Sequence, residues 1–288
     1  MAKRFVLMLA LFTVHASAVT VVDDRGVQVT ITQAPQRIVT LLPSLAETVC
    51  MLGECNRLVG TDNHANWPAS VKALPKLGGL DDTSLEALVR LKPDLVLLAK
   101  SSRNINRMES LGLKVLALEP QNMADVKRVM HTVALAMQLP QADDKAEGLW
   151  QRALQGIAAA KQQVPASAVG ARVYFEASTG GYAAGEASFI GEVMAQMGLR
   201  NIVSASMGAF PQLNPEFVVR AQPDIILLGE PMAVQLHKRP GWSRMTVMQR
   251  RRVCAFSGAE GDVLVRPGPR LGEAAQLMAH CLQKHFRP

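Results

Sequence analysis

Two α/β lobes with mainly parallel sheets, joined by one long rigid α-helix and enclosing a ligand cleft, are the architecture this sequence predicts. Three observations predict it. Short apolar runs alternate with helical segments along the chain, as in parallel sheets covered by helices on both faces. One element is written twice, "LEALVRLKPDLVLL" from Leu85 and "PEFVVRAQPDIILL" from Pro215. Aligned from Glu86 and Glu216, thirteen positions share Glu, Val, Arg, Pro, Asp and two Leu. Between the copies lies "DDKAEGLWQRALQGIAAAKQQV", with Leu149, Ala153 and Ile157 on one face, acids at its start and Lys161 near its end. At 1.5 Å per residue it makes a rod of roughly 33 Å, long enough to run across two lobes.

The first eighteen residues put Lys3 and Arg4 before an apolar run from Phe5 to Val14 and end in Ala16-Ser17-Ala18. That is the pattern of a cleaved secretory signal, and the run is about half the ~20 residues that span a bilayer. The expected divisions are a signal peptide over 1–18, an N-terminal lobe over 19–140, a linking helix over 141–165 and a C-terminal lobe over 166–288. Neither Ala18 nor Val19 is a cysteine, so a freely soluble secreted protein is expected.

From Gln36, "QRIVTLLPSLAETVCMLGECNRLVG" reads as a short β-rich run, a turn at Pro43-Ser44, a helix closed by Gly53 and a second strand. "TSLEALVRLKPDLVLL" gives a helix capped by Thr83 or Ser84, a break at Pro93 and a strand. "RMESLGLKVLALEP" repeats helix, glycine and strand. The same order resumes at "ARVYFEAS", a strand, followed by "SFIGEVMAQMGLRNIV", a helix ending at Gly198. "RRVCAFSG" supplies another strand and "GEAAQLMAHCLQKHF" the last helix.

Composition excludes several functions. The formal charge of +7 falls to +5 once Lys3 and Arg4 are removed, and Arg250, Arg251 and Arg252 form the only tight basic cluster, so no nucleic-acid partner is expected. There is no Walker loop, no G-x-S-x-G elbow and no G-x-G-x-x-G after the first strand. The protein reads as a non-enzyme, with a secreted two-lobe enzyme as the remote alternative. His131, His237, His280 and His285 form no spaced set, so no site for a naked metal ion is expected. Cys50 and Cys55 flank "MLGE" and are candidates for a small loop at a helix end. Cys254 and Cys281 can meet only through the fold, and both pairings stay open.

The segments "RIVTLLPSLAETV", "LVGTDNHANWP", "LPKLGGLDDTSLEALVRLKPDLVLL", "SFIGEVMAQMGLRNI", "PQLNPEFVVRAQPDIILL" and "RPGPRLGEAAQLMA" together resemble a known family. It comprises the periplasmic binding proteins whose lobes are joined by one long helix and which deliver cobalamin, haem or ferric siderophores to ABC importers. The cobalamin-binding branch is the most similar. The resemblance implies a monomeric periplasmic protein with no cofactor of its own, carrying cobalamin or another metal chelate, with haem or a ferric siderophore as the alternative. It also implies that Glu86 and Glu216, one per lobe, dock on arginines of the importer's two membrane subunits.

Ligands bind such folds at the carboxyl ends of the strands. The candidate ligand-binding residues are therefore Pro43, Ser44, His64, Trp67, Leu80, Arg103, Tyr182, Phe210, Arg266 and Arg270. Tyr182 follows two glycines that let the backbone approach a ligand, and Phe210 matches an aromatic of the cobalamin binders. Trp242 reads as a surface anchor, and Arg90 as a solvated helix end. Arg103, Arg266 and Arg270 are the cations an anionic chelate would need. The imidazole of His64 is a potential axial ligand to cobalt or haem iron, with Tyr182 opposite. The cobalamin pattern is broken where His64 replaces a tyrosine, Leu80 replaces a tryptophan, and Met197 stands where Cys281 would find its disulfide partner.

Overall fold

A computed structural model describes residues 18–286; the expected signal peptide lies outside the described residues apart from Ala18. A two-stranded antiparallel hairpin comes first, β1 (Val19–Val22) with β2 (Gln28–Ile31). The N-terminal lobe then runs β3 (Ile38–Thr40), α1 (Pro43–Met51), β4 (Leu58–Thr61), α2 (Leu85–Arg90), β5 (Leu95–Leu98), α3 (Ile105–Ser110), β6 (Val115–Ala117) and α4 (Met123–Ala136). Its sheet has the order β4-β3-β5-β6 and every pairing is parallel. Each strand is short and buried almost throughout, as expected of a sheet with both faces covered.

Helix α5 (Ala142–Gln162) follows. The C-terminal lobe holds β7 (Arg172–Ser178), β8 (Tyr182–Ala183), α6 (Phe189–Gln196), β9 (Arg200–Asn201), α7 (Pro215–Ala221), β10 (Ile225–Gly229), α8 (Glu230–Ala233), α9 (Thr246–Gln249), β11 (Val253–Phe256), α10 (Gly258–Val265) and α11 (Leu271–His285). β11, β10, β7 and β9 are parallel neighbours, whereas β8 folds back antiparallel on the end of β7. The hairpin at β1, helix α4 and the antiparallel β8 are additions to the sequence expectation.

Helix α5 packs on α4 of the first lobe and on α11 of the second. Ala146, Leu149, Ala153, Ile157 and Ala160 form its buried stripe, and one hydrophobic cluster runs through both lobes along it. Where α5 crosses α11 the two backbones nearly touch. A Cβ on Gly156 would lie 2.7 Å from the Cα of Gly272, so only glycine permits this approach. Cys50 is bonded to Cys55 at the end of α1, and Cys254 of β11 to Cys281 of α11.

The repeated element has a local explanation. In the first lobe Asp94 Oδ2 accepts from the backbone amides of Gln36 and Arg37, at 2.8 and 2.9 Å, and Arg37 donates to the Leu91 carbonyl at the end of α2. In the second lobe Asp224 Oδ2 accepts from the amide of Arg172 at 2.8 Å, and the Arg172 guanidinium donates to the Ala221 carbonyl at the end of α7. Each Pro-Asp thus clamps the first strand of its lobe to the helix before it. Arg90 is the solvated helix end expected, in the last turn of α2 with its side chain 73% exposed, and it bonds Glu86 at 2.7 Å. Trp242 is not a surface anchor. It is fully buried, edge-on to Tyr174 and beneath the Arg239 guanidinium, because its indole fills the space behind α7.

Candidate functional site: the cleft between the lobes

The lobes meet along the carboxyl ends of their strands. On one side Phe189 donates its amide to the Gln121 carbonyl at 2.8 Å, and Glu192 accepts from the amide of Met123 at 2.5 Å. On the other side the contact is ionic. Arg266, only 6% exposed, reaches across to Glu47 at 2.7 Å, to Asn66 Oδ1 at 2.9 Å and to the His64 carbonyl at 2.9 Å. Its second nitrogen also pairs with Asp262 at 2.8 Å, and Asp262 accepts from Asn66 at 2.6 Å. Arg270 lies 4.5 Å over the Trp67 ring, bonds Glu273 at 2.7 Å and reaches Glu47 at 3.4 Å.

These contacts give two of the candidate arginines partners within the protein. Arg266 and Arg270 are paired with protein acceptors: Arg266 bonds Glu47, Asn66 and His64 across the lobes, and Arg270 bonds Glu273 of its own helix and reaches Glu47. Trp67 is half-buried under Arg270 and serves the same junction. Arg103 is exposed and paired with Asp81 at 2.8 Å. Distances across the lobes, unreadable from residues 200 positions apart, are what the sequence lacked.

The remaining candidates lie on the segments that follow strands or lead into helices in the two lobes. Pro43 opens α1, and Ser44 behind it is buried with a hydroxyl that has no partner. Leu80, 38% exposed, tips a tight loop closed by the bond from the Ser84 amide to the Leu77 carbonyl. His64 is exposed beside Asp62, whose Oδ1 accepts the amides of His64 and Ala65. From the other lobe come Tyr182, 41% exposed on β8, and Phe210, which is partly buried and packs at 5.9 Å against Phe189. A polar cavity of about 410 Å³ opens between the lobes, lined by Asp24, Lys100, Glu119, Asn122, Asp125 and Arg128 on one side and Ala187 and Ala209 on the other; none of these candidates lines it.

Sequence reading missed two buried carboxylates. Burial pushes the Glu47 carboxyl above its ordinary range, against the pull of Arg266 and Arg270. Burial likewise raises Asp62, against the amide bonds of His64 and Ala65. Glu47 Oε2 and Asp62 Oδ2 both lack a partner, as do the hydroxyls of Thr40 and Ser102. All lie at or just beyond the carboxyl ends of β3, β4 and β5, so unsatisfied hydrogen-bonding capacity is concentrated beneath the cleft. An acid inside the helical run after Pro43 was the available signal.

Two parallel-sheet lobes, a single connecting helix and a cleft at the strand ends are the architecture of the periplasmic binding class. The sequence profile of the periplasmic binding protein family matches residues 38–257, and the chain belongs to that family. An uncharacterised ABC transporter substrate-binding lipoprotein of Bacillus subtilis is 27% identical over 273 residues, covering 92% of this chain and 85% of that one. A cobalamin-binding protein of Halobacterium salinarum is 30% identical over 218 residues, 73% of this chain and 58% of the relative. Among solved structures, the haem-binding protein RhuT from Roseiflexus sp. RS-1 superposes with a TM-score of 0.72 at 24% identity, covering 88% of this chain and 99% of that one. At that identity the likeness concerns the fold. No helix among the described residues is long and apolar enough to cross a membrane.

Proposed function

We propose that this protein captures a corrinoid of the cobalamin class between its lobes in the periplasm and delivers it, chemically unaltered, to the membrane subunits of an ABC importer. The observation that supports the ligand class is the state of the cleft's cations. Arg266 and Arg270 are paired with protein acids, and the cavity between the lobes is lined by Asp24, Glu119 and Asp125 beside Lys100 and Arg128, whose guanidinium is itself bonded to Asp24 and Asp125. Such a lining offers little to the carboxylates of haem or a ferric chelate. It suits a ligand rimmed by neutral amides, whose N–H groups donate to carboxylate oxygens. The exposed faces of Leu80 and Tyr182 supply apolar contact for a flat macrocycle.

Docking draws support from what the fold does not use. Asp94, Asp224, Arg37 and Arg172 of the repeated unit all have structural tasks, whereas Glu86 is bonded only to its own helix and Glu216 is exposed at the start of α7. Titration calorimetry of the mature protein with cyanocobalamin, haem and a ferric hydroxamate in parallel tests the ligand. Micromolar or tighter binding of cyanocobalamin alone is the expected result. Binding of haem alone, with a shift of its absorption bands abolished by His64→Ala, would overturn the corrinoid assignment in favour of a haem receptor.

A further inference from the structure

The described residues contain two isolated β-bridges, Thr61 to Lys76 and Tyr182 to Gln212. They differ in kind, the first parallel and the second antiparallel, but each ties a strand residue to the segment that enters the helix carrying Glu86 or Glu216. In the first lobe the bridge ties the end of β4, which leads to His64, to the segment that runs through Leu80 into α2 and Glu86. The Asn63 amide donates to the Gly78 carbonyl at 3.0 Å, and the Gly78 amide donates to Asn63 Oδ1 at 3.2 Å. Gly78 has φ of +101°, and a Cβ there would lie 2.5 Å from the Asp82 carbonyl oxygen, so this crossing cannot relax around a side chain. The loop then closes on Ser84, whose hydroxyl caps α2.

In the second lobe the bridge ties Tyr182 to the segment that runs into α7 and Glu216. The Leu213 amide donates to the Gly181 carbonyl at 2.9 Å, the Ala183 amide to the Pro211 carbonyl at 3.0 Å, and Gln212 Nε2 to the Gly180 carbonyl at 2.9 Å. Asn214, the next residue but one, caps α7. Behind the helix Trp242 Nε1 donates to the Pro215 carbonyl at 3.3 Å.

We propose that in each lobe the cleft wall and the docking glutamate are two ends of one hydrogen-bonded unit, with Asn63 and Gln212 as the positioning residues that join them. Occupancy of the cleft is thereby expressed in the order of α2 and α7, although neither helix needs to touch the ligand. This inference rests on the docking role of Glu86 and Glu216. The side-chain amides of Asn63 and Gln212 are exposed at these joints and each holds a backbone group of the facing segment. Removing either amide therefore deletes one bond of the joint, leaving its backbone bonds in place, without opening the core.

The test is amide hydrogen exchange on the mature protein, free and with cyanocobalamin. Asn63→Ala is expected to speed exchange of residues 85–90 about fivefold, and Gln212→Ala that of 215–221, the size of one neutral hydrogen bond. Gln151→Ala, which removes a similar amide bond to Glu147 on α5, leaves both helices unchanged. Cyanocobalamin slows exchange of both helices in the natural protein, and the effect is reduced on the helix whose joint has lost its side-chain bond. Unchanged exchange in both variants overturns the inference, as does acceleration spread over the whole chain. The ligand-free comparison decides the coupling even if cyanocobalamin proves not to be the cargo, and transport by Glu86→Ala with Glu216→Ala judges docking separately.

Discussion

Glu47 and Arg266 meet as a buried ion pair between lobes, and such a pair is worth little beyond a well-packed apolar substitute while being costly to break. Arg266→Met strands the Glu47 carboxylate, with Arg270 left as a partner at 3.4 Å. The expected loss is about 3 kcal/mol, at the low end for a broken buried pair, and Glu47→Met together with Arg266→Met recovers most of it; urea unfolding measures both. Asp62 gives a pH prediction. Its pKa is raised in the fold, so its contribution to stability is fully present below the ordinary carboxylate value of about 3.9 and is lost as pH rises through the raised one. Asp62→Asn keeps an acceptor for the His64 and Ala65 amides but cannot titrate. Relative to the natural protein, the variant therefore gains stability as pH is raised from 4 towards 7, where ~4 is the ordinary carboxylate range. A constant difference across denaturation curves at those pH values would refute the sign.

At the scale of elements, the crossing of α5 on α11 decides how the lobes are held. Gly156→Val drives a side chain into the backbone of Gly272, and overpacking of this kind costs about 1 to 3 kcal/mol. Because α5 touches both lobes, the variant should also weaken ligand binding, which calorimetry beside thermal unfolding would detect. The two disulfides are unequal. Cys50 and Cys55 are separated by 5 residues and Cys254 and Cys281 by 27, so on chain-entropy grounds the second contributes about 3.6 kcal/mol and the first about 2. Replacing the second pair with alanines should therefore lower the urea midpoint more than replacing the first.

For the whole molecule, the docking proposed above, one glutamate per lobe, predicts a double-variant effect on uptake. Glu86→Ala with Glu216→Ala is expected to leave ligand affinity unchanged and to abolish uptake in cells, with either single variant intermediate; uptake at the natural rate would sink the docking role. Much of this was legible before any coordinates. The strand and helix periods placed the lobes, and the acids at the start and the Lys near the end of residues 141–165 marked the connecting helix, whose structured part is Ala142–Gln162. Helix α4 escaped because its sequence, "MADVKRVMHTVALA", lies between a strand and the long helix with no stop signal drawing attention to it. Trp242 was misread because its flanking "RPG" resembles a surface turn, while its burial depends on Tyr174 and α7 from distant parts of the chain.

Local pattern and the duplicated element determined the two-lobe α/β plan, the helix that joins the lobes and the exposed glutamate in each, because hydrophobic period, caps and glycines act within a few residues. Only the tertiary structure decided that Arg266 and Arg270 meet Glu47 across the lobes, that Glu47 and Asp62 lie buried, and that Cys254 meets Cys281. Those assignments turn on which charged and polar atoms come within about 3 Å of each other across the chain, and hydrogen-bond geometry of that kind is set by packing rather than by sequence spacing.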